Sequence, residues 1–485
     1  MSKSSSVTFM TAALIGLSLV SCGQFTSDTV YLQATSLQTG GFHTCATLID
    51  STFKCWGFND SGQLGQGDTV NRGEAPKQMG NTLRNIDVGS KLKVALFAVG
   101  GWHTCALLND FTVKCWGDNS SGQLGLGDTD NRGDAPNEMG DNLPPVDLGT
   151  DADGKALQAV AISAGLSHTC VLLHDQAADL ILVKCWGDNS SGQLGLGDTD
   201  NRGDAPNEMG DNLPAVDLGA DAKGDPLQAE AIVAGAYHTC ALLHDQAADQ
   251  DLVKCWGDNS DGQLGQGNTI DYGDGSAMAG MGNNLQPIDL GMGRTARQIA
   301  AGQFDTCAVL DDGTAKCWGD NLSGQLGQDQ LAPMASLGDS PGQMGDNLPV
   351  ISLGTGRTAL VVSVNGDPVN DRAAACAELD DQTMKCWGDN STGQLGQGNT
   401  ATMPNIGNLP GEMGDNLPPI DLGGSSTAID IGSAFYHTCV LLSNQRMKCW
   451  GLNDVGELGL GDTVDRGGAP GQMGDDLPKI NIGTT

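Results

Sequence analysis

The stretch that decides the fold runs from Gly101 to Gly125. It reads Gly-Trp-His-Thr-Cys from residue 101, Lys-Cys-Trp-Gly-Asp-Asn from residue 114 and Ser-Gly-Gln-Leu-Gly from residue 121. Residues 113–144 and 183–214 are identical at all 32 positions, which indicates internal duplication. Units repeated in this way indicate a propeller, a solenoid or an array. The Lys-Cys-Trp-Gly tetrad occurs seven times, with its tryptophan at residues 56, 116, 186, 256, 318, 387 and 450.

Each unit contains four short segments with the alternating or continuously apolar pattern of β-strands, separated by turn residues. Seven such units predict an all-β, seven-bladed β-propeller with four-stranded blades over residues 31–485. The final stretch Lys479–Gly483 matches Asn85–Gly89, so we expect a closed ring without extra caps. In the third unit the predicted strands are Pro145 to Leu148, Leu157 to Ala164, His168 to Leu173 and Leu182 to Trp186.

Fourteen of the fifteen cysteines fall into seven pairs, one in each unit. The first cysteine of a pair begins one strand and the second ends the next, so a hairpin would place them opposite each other within disulfide range. We predict one disulfide per blade, each worth at most about 3 kcal/mol. The predicted pairs are Cys45 with Cys55, Cys105 with Cys115, Cys170 with Cys185, Cys240 with Cys255, Cys307 with Cys317, Cys376 with Cys386, and Cys439 with Cys449.

The fifteenth cysteine, Cys22, follows a short, mostly apolar segment from Val7 to Val20, and Lys3 precedes that segment. Such a segment is typical of a secretory signal and is too short to span a bilayer. Leu19 to Cys22 resembles the lipobox of bacterial lipoproteins, which implies cleavage before Cys22 and a lipid on its side chain. We therefore predict a signal peptide over residues 1–21, and a lipidated cysteine with a tether over residues 22–30.

This amino terminus predicts an extracytoplasmic, lipid-anchored protein of a bacterial cell envelope, in which disulfides persist. Gly23 is not the aspartate associated with inner-membrane retention, so the outer membrane or cell surface is favoured. The chain of 485 residues carries 24 Lys and Arg against 59 Asp and Glu, a net charge of −35. So acidic a surface repels phosphate backbones, which argues against a nucleic-acid partner.

The repeated pattern Gly-x-x-His-Thr-Cys, Lys-Cys-Trp-Gly-Asp-Asn and Gly-Gln-Leu-Gly resembles the regulator-of-chromosome-condensation repeat, over nearly all of residues 30–485. The resemblance implies a seven-bladed propeller. The founding member is a nucleotide exchanger for a small GTPase on chromatin, but no position here matches an exchange motif, and we expect no GTPase partner. Three positions depart from the pattern: Asp305 and Ala374 replace histidine, and Glu457 replaces glutamine.

Two residue patterns in the sequence resemble partial metal sites, one for zinc and one for calcium. His43 with Cys45 and Cys55 resembles a partial zinc site, but each unit lacks a fourth ligand. Calcium remains a possible cofactor because hard cations prefer clustered oxygens. Ordinary turns would explain the same carboxylates, and we predict no cofactor otherwise. The carboxylates in question are Asp128, Asp130 and Asp134, repeated as Asp198, Asp200 and Asp204.

The remaining motifs do not indicate catalysis. Gly338–Gly342 has the spacing of a nucleophile elbow without the required strand and helix. The Arg-Gly-Asp tripeptides at residues 132–134 and 202–204 belong to the repeat itself. The repeated tryptophans are interpreted as blade packing rather than as a sugar-stacking platform. We predict no catalytic residues and no enzyme.

The leading functional hypothesis is a lipid-anchored scaffold that binds another protein through loops on the faces of the propeller. The alternatives are a carbohydrate-binding surface module and an enzyme with a site in the central channel. The loops that depart most from the repeat are the candidate binding elements: Thr150–Gln158, Gly219–Gln228, Asp271–Met281 and Gln328–Ser340.

Overall fold

Seven antiparallel sheets follow one another along the chain, one for each sequence unit. The computed structural model describes residues 31–276, 280–328, 336–367, 370, 372–424 and 426–484. The predicted signal peptide, tether and Cys22 lie outside these residues. In each sheet the first strand pairs with the second and the second with the third, in chain order. The all-β, seven-bladed propeller architecture is therefore as the repeat predicted.

The strands are numbered in chain order, three to a blade except for blade 6. They are β1 Ala34–Thr39, β2 His43–Leu48, β3 Phe53–Gly57; β4 Val94–Val99, β5 His103–Leu108, β6 Val113–Gly117; β7 Gln158–Ala164, β8 His168–Asp175, β9 Leu180–Gly187; β10 Gln228–Ala234, β11 His238–Asp245, β12 Gln250–Gly257; β13 Ala296–Ala301, β14 Asp305–Leu310, β15 Ala315–Gly319; β16 Ala359–Asp367, β17 Arg372–Leu379, β18 Met384–Asp389, β19 Asn405–Ile406; and β20 Ala428–Ser433, β21 His437–Leu442, β22 Met447–Gly451.

The prediction of four strands in every blade was wrong. Within the described ranges only blade 6 has a fourth strand, β19, and the other blades retain a single bridge at that place, such as Gly117 with Arg132. The segment predicted as a strand from Pro145 to Leu148 is not one. A single backbone bond, from the Val146 N–H to the Val113 carbonyl, ties it to β6, and the preceding prolines have no N–H to donate.

The seven repeated tryptophans are completely buried and connect neighbouring blades. The Trp116 indole nitrogen donates to the backbone carbonyl of Gln63 in the preceding blade at 3.1 Å. The Thr104 hydroxyl donates to the same oxygen at 2.9 Å. Corresponding tryptophan bonds occur at every blade junction, which confirms that these side chains are packing residues.

The seven predicted cysteine pairs form disulfides, one in each blade. In every pair the two cysteines face each other across the second and third strands, with Cα atoms 4.0 to 4.1 Å apart. Their side chains are almost completely buried. The disulfides therefore fix the register of the hairpin that carries the repeated motif.

The two ends of the described chain meet in blade 1 and close the ring. The Leu32 N–H donates to the Gly483 carbonyl at 2.9 Å, and Tyr31 and Thr484 form a bridge. The Lys54 ammonium donates to the Ile482 carbonyl at 2.8 Å. In blade 3, Lys184 makes the equivalent bond to Leu148 of its own sequence unit. The end of the chain thus supplies blade 1 with the segment that internal blades take from the linker before them.

The helices among the described residues are single turns of 3-10 helix, and none is long or apolar enough to cross a bilayer. Each turn begins with a buried glycine whose carbonyl accepts a bond from the buried lysine of the Lys-Cys-Trp-Gly tetrad, as Gly140 does from Lys114 at 2.8 Å. The turns are Gly80–Thr82, Gly140–Asn142, Gly210–Asn212, Gly282–Asn284, Gly345–Asn347, Gly414–Asn416 and Gly474–Asp476.

Candidate interaction surface at the channel mouth

The turn between the first and second strands of six blades, together with residues 364–366 of β16 in blade 6, lines one end of a central channel, which we call the mouth. The channel is open to solvent, holds about 560 Å³ of empty space when its opening is included, and is lined largely by glycine and other small residues. Its polar side chains among the described residues are Thr39, Gln303, Asn365 and Ser433. This lining contains no carboxylate pair and no nucleophile with a neighbouring base.

A chain of buried histidines surrounds the mouth. The His43 Nε2 lies 2.9 Å from the Thr104 hydroxyl of the next blade, and His103 makes the same contact with Thr169. Because the Thr104 hydroxyl gives its one proton to the Gln63 carbonyl, the histidine must donate from Nε2. Burial lowers the pKa of His43 to about 3 and that of His103 to about 4. The histidines are therefore neutral structural groups.

The chain of His–Thr contacts is interrupted on both sides of blade 6, where Ala374 and Ala375 stand in place of histidine and threonine. Asp305 takes the place of histidine in blade 5. The Asp305 carboxyl is completely buried, and neither oxygen has a hydrogen-bond partner among the described residues. Burial raises its pKa well above the usual value, with a further contribution from Asp320.

Five aromatic side chains gather at the mouth on blades 7, 1 and 2. Phe42 stacks on Trp102 with ring centroids 5.4 Å apart and meets Phe435 edge-on at 5.5 Å. Phe58 lies 5.7 Å from Trp102, and Tyr436 lies 6.1 Å from Phe42. All except Phe435 are partly exposed. We call these five residues the aromatic patch; such clusters at a surface are a common feature of binding sites.

At the Phe58 position of the patch, blades 2 to 6 carry an aspartate that bonds to a glutamine side chain. In blade 2, Asp118 accepts a 2.6 Å hydrogen bond from the side-chain amide of Gln123. Blades 3 to 6 make the same Asp–Gln bond, at 2.5 to 2.7 Å. Blade 1 has Phe58 instead of the aspartate, and the buried Gln63 amide nitrogen has no hydrogen-bond partner in the part of the chain that the structure describes. Blade 7 has Leu452 at this position, opposite Glu457.

The other side of the mouth is acidic as well as aromatic. Tyr237 stacks on Phe304 at 6.0 Å. Burial and the carboxylates of Asp188 and Asp258 raise the pKa of Tyr237. Asp320 continues the series in blade 5, and burial raises its pKa to about 6. The mouth therefore has one sector in which five aromatic rings cluster and another in which the Tyr237 and Phe304 rings lie near carboxyl groups.

The loops chosen from the sequence do not all reach this surface. Residues 150–157 and 219–227 precede the first strands of blades 3 and 4, at the end of each blade opposite the mouth. The loop from Asp271 begins on the mouth side, because Asp271 accepts a bond from the Asn259 N–H just after β12. Residues 277–279 and 329–335, within the two remaining loops, lie outside the described residues.

The aromatic patch was not predicted from the sequence. A signal was present, because the residue before the His-Thr-Cys triplet, or before its Asp305 equivalent, is aromatic in five of the seven copies. The residues at that position are Phe42, Trp102, Tyr237, Phe304 and Tyr436.

The metal candidates considered from the sequence are engaged in other contacts. Cys45 and Cys55 are joined to each other, so their sulfurs are not free to bind zinc. Asp128 makes an ion pair with Arg132 at 2.6 Å, and Asp198 pairs with Arg202 in the same way. Those pairs also hold the arginines of the two Arg-Gly-Asp tripeptides. The calcium hypothesis itself stays a prediction.

The nucleophile-like stretch Gly338–Gly342 is a turn. The N–H groups of Gly338 and Ser340 both donate to the side-chain oxygen of Gln343, at 2.7 and 3.0 Å. Ser340 is exposed, and no base contacts its hydroxyl among the described residues. The turn therefore gives no support to acyl-transfer chemistry.

Family models described as the regulator of chromosome condensation (RCC1) repeat match the chain. One model matches residues 55–107, 113–172 and 183–242. A second model with the same description matches residues 94–123, 159–193, 230–263, 296–325 and 428–457. The two models together cover more than half of the chain and reach from the first to the seventh blade.

Two curated proteins show the range of similar chains. The ultraviolet-B receptor UVR8 of Arabidopsis thaliana is 27% identical over 384 residues, covering 77% of this chain and 68% of the receptor. The probable E3 ubiquitin-protein ligase HERC6 of Homo sapiens is 30% identical over 301 residues, covering 61% of this chain but only 24% of the ligase. The ligase is therefore a much longer protein that contains a similar region.

Solved structures support the fold at low sequence identity. Yeast RCC1 (Prp20), in a structure with Kap60 bound, superposes with a TM-score of 0.59 at 17% identity, covering 95% of this chain and 90% of that chain. A second structure, of Prp20p from Saccharomyces cerevisiae, gives 0.53 at 19% identity, covering 82% and 80%. Prp20p is described there as binding Gsp1p and histones.

Proposed function

The chain belongs to the regulator of chromosome condensation repeat family, and from this membership we propose that it is a protein-binding scaffold whose partner docks at the channel mouth. A propeller holds its mouth residues on strands that are fixed by disulfides and by bonds between blades. Recognition on such a rigid support loses little conformational entropy on binding. The named partners of the similar structures belong to those proteins and do not identify the partner here.

The main support for this proposal is that blade 1 lacks the Asp–Gln hydrogen bond, because Phe58 of the aromatic patch replaces the aspartate. Five blades keep the bond, whereas blade 1 replaces the aspartate with Phe58 and leaves the buried Gln63 amide unpaired. An unpaired buried donor costs about 1 to 3 kcal/mol. Sequences depart from an otherwise consistent local rule mainly at functional sites. Phe58 therefore indicates selection for an aromatic surface rather than for stability.

We further propose that a lipid on Cys22 anchors the scaffold to a bacterial cell envelope. Its support is the amino-terminal sequence, from the charge at Lys3 through the apolar segment to Leu19–Cys22. Metabolic labelling with radioactive palmitate is expected to label the wild type and not a Cys22→Ser variant. Equal labelling of both would contradict the anchor without affecting the binding surface.

The test of the binding surface uses F58D, which restores the aspartate of the other blades. We expect F58D to lose partner binding while its free energy of unfolding stays within about 1 kcal/mol of the wild type, because the Gln63 amide regains an acceptor. The matched control is F111D, which adds the same charge at an exposed phenylalanine in the β5–β6 turn, at the opposite end of blade 2.

Each immobilised protein would be exposed to detergent-solubilised envelope from the cells that make it, and captured proteins identified by mass spectrometry. A protein captured by wild type and F111D, but not by F58D, supports the proposal. Equal capture by all three would show that the patch is not the binding surface.

Carbohydrate binding is the second candidate, favoured by the partly exposed stack of Phe42 on Trp102, because aromatic faces also hold sugar rings. A glycan array would support it if wild type bound a glycan and F58D did not. An enzyme in the channel has less support, since the described lining contains no charged residue. The activity named for HERC6 is not extended to a chain that spans 24% of that ligase.

The expected absence of a GTPase partner receives no support from the comparisons, because Prp20p is described as binding Gsp1p. The argument for that absence is the proposed location outside the cytoplasm. Nucleic acid stays disfavoured on charge alone, and electrophoretic mobility shifts at low salt would test it.

A further inference from the structure

Blade 4 carries a cluster of three metal-ligating side chains away from the channel mouth. Glu230, His244 and Asp251 each offer one ligand atom, and these atoms lie within 4.8 Å of one another. His244 Nδ1 lies 2.8 Å from a carboxylate oxygen of Asp251, which faces it directly across the β11–β12 ladder. Glu230 lies at the register shift of β10, between Ala229 and Ala231.

Blade 3 shows that the repeat does not require these acids. The equivalent residues there are Val160, His174 and Ile181, with His174 facing Ile181 across the β8–β9 ladder. Val160 and Ile181 pack as partly buried apolar residues. The two units are otherwise closely similar, yet blade 4 has placed a carboxylate on each side of the shared histidine. A single ion pair with the histidine would have needed only one of them.

The chemistry of the three groups suits one class of ligand. One imidazole and two carboxylates form a mixed nitrogen and oxygen set, of the kind that zinc and related divalent transition metals accept. The two carboxylates balance the charge of a divalent ion. Calcium and magnesium prefer oxygen ligands throughout, so the imidazole disfavours them. Three protein ligands also leave a coordination position for water.

The other histidines do not offer a comparable set. Five of the seven are completely or almost completely buried beside the channel, each in contact with a threonine. Among the described residues, the His174 side chain of blade 3 has one ion-pair partner, Asp179, at 3.3 Å. The fourteen cysteines of the blades are joined in disulfides and cannot compete for the ion.

We propose that Glu230, His244 and Asp251 bind a divalent transition-metal ion on blade 4. The site is separate from the aromatic patch and does not depend on the function proposed for the mouth. Its three ligands lie on the three strands of blade 4, where an ion would join β10 to the β11–β12 hairpin. Bound metal would therefore hold this part of the blade in a single arrangement.

The test is isothermal titration of the purified oxidised protein with Zn²⁺, after alkylation of any free thiol. Wild type is expected to bind one ion per chain. The double variant E230V/D251I gives blade 4 the residues that blade 3 already carries, so it should keep its fold and lose the site. Undiminished stoichiometric binding by a folded E230V/D251I, or no binding by wild type, would overturn the proposal.

Two further titrations test whether the three side chains suffice to bind an ion and which class of metal they bind. The reciprocal variant V160E/I181D rebuilds the cluster in blade 3 and is expected to bind a second Zn²⁺ ion; a folded variant that binds only one would contradict the sufficiency of the three side chains. Ca²⁺ is expected not to compete for the blade 4 site. Displacement of Zn²⁺ by equimolar Ca²⁺ would overturn the assignment to transition metals.

Discussion

At the scale of single residues, Glu457 stands where the other six blades have glutamine. One of its carboxylate oxygens accepts the Val455 N–H at 3.0 Å, and the other has no partner among the described residues. The aspartate that would pair with a glutamine here is replaced by Leu452. Burial raises the pKa of Glu457 to about 8, from a usual value of 4.5. The carboxyl is therefore neutral at pH 7 and becomes a buried charge in mild alkali.

We predict that E457Q removes a pH dependence of stability. Between pH 4.5 and about 8 the unfolded chain releases this proton while the folded protein retains it, so the wild type loses stability as pH rises through that window. Since the pKa rises from 4.5 in the unfolded chain to about 8 in the folded protein, the expected loss of stability is a few kcal/mol. E457Q should match the wild type near pH 5 and exceed it at pH 9, as measured by denaturant unfolding.

The comparison between the two proteins isolates this group, since the other buried carboxyls, among them Asp305, Asp320 and Asp389, are common to both. Stability curves that run parallel from pH 5 to pH 9 would show that Glu457 does not titrate in this window. A stability advantage of E457Q at pH 5 would instead show that the neutral carboxyl is already unfavourable.

At the scale of elements, the hairpin of the second and third strands is the unit that all seven blades of this chain repeat. Cys105 faces Cys115 with Cα atoms 4.0 Å apart, and the disulfide closes a loop with a sequence separation of 10. Thr104 and Trp116, the paired neighbours of these cysteines, make the bonds to the preceding blade. The disulfide therefore holds in register the residues that join one blade to the next.

We predict that C105A/C115A lowers the free energy of unfolding by at most about 3 kcal/mol, because the unfolded chain regains the entropy of an open loop. The comparison variant is C170A/C185A, whose disulfide spans 15 residues. The logarithmic dependence on loop length predicts losses that agree within about 0.5 kcal/mol. Unfolding in guanidinium under oxidising conditions measures both. No loss in either variant would show that the hairpins are set by packing alone.

At the scale of the whole molecule, closure of the ring depends on the last residues described. Gly80 N–H donates to the Asn481 carbonyl at 2.9 Å, and Lys54 donates to the Ile482 carbonyl. Ile480 and Ile482 are buried in a cluster that contains residues of both the first and the seventh blade. The joint thus combines backbone bonds with apolar packing.

We predict that removal of residues 479–485 loosens blade 1 more than any blade on the far side of the ring. The truncation leaves the Lys54 ammonium with one carbonyl partner, Gly80, and exposes the apolar cluster of the joint. Amide hydrogen exchange should show the largest loss of protection in β1–β3 and little change in β10–β12. Equal loss of protection in all seven blades would contradict a local role for the joint.

The sequence by itself determined the family, the all-β class, the seven units and the seven cysteine pairs. These features repeat within 60 to 70 residues and follow from local pattern, as the copies of the tetrad from Trp56 to Trp450 show. The fourth strand was overestimated because apolar alternation does not reveal how many N–H groups find a partner. Pro145 illustrates this, since it has no N–H for the ladder.

Only the tertiary structure decided what the motif residues do together. Phe42 and Tyr436 lie at opposite ends of the sequence, yet closure of the ring brings their rings 6.1 Å apart. Repeat periodicity fixes which positions are equivalent, but contact between blades depends on the rotation from one blade to the next. That rotation is set by packing across each junction, which no single unit contains. The binding surface and the ring closure are therefore properties of the assembled propeller.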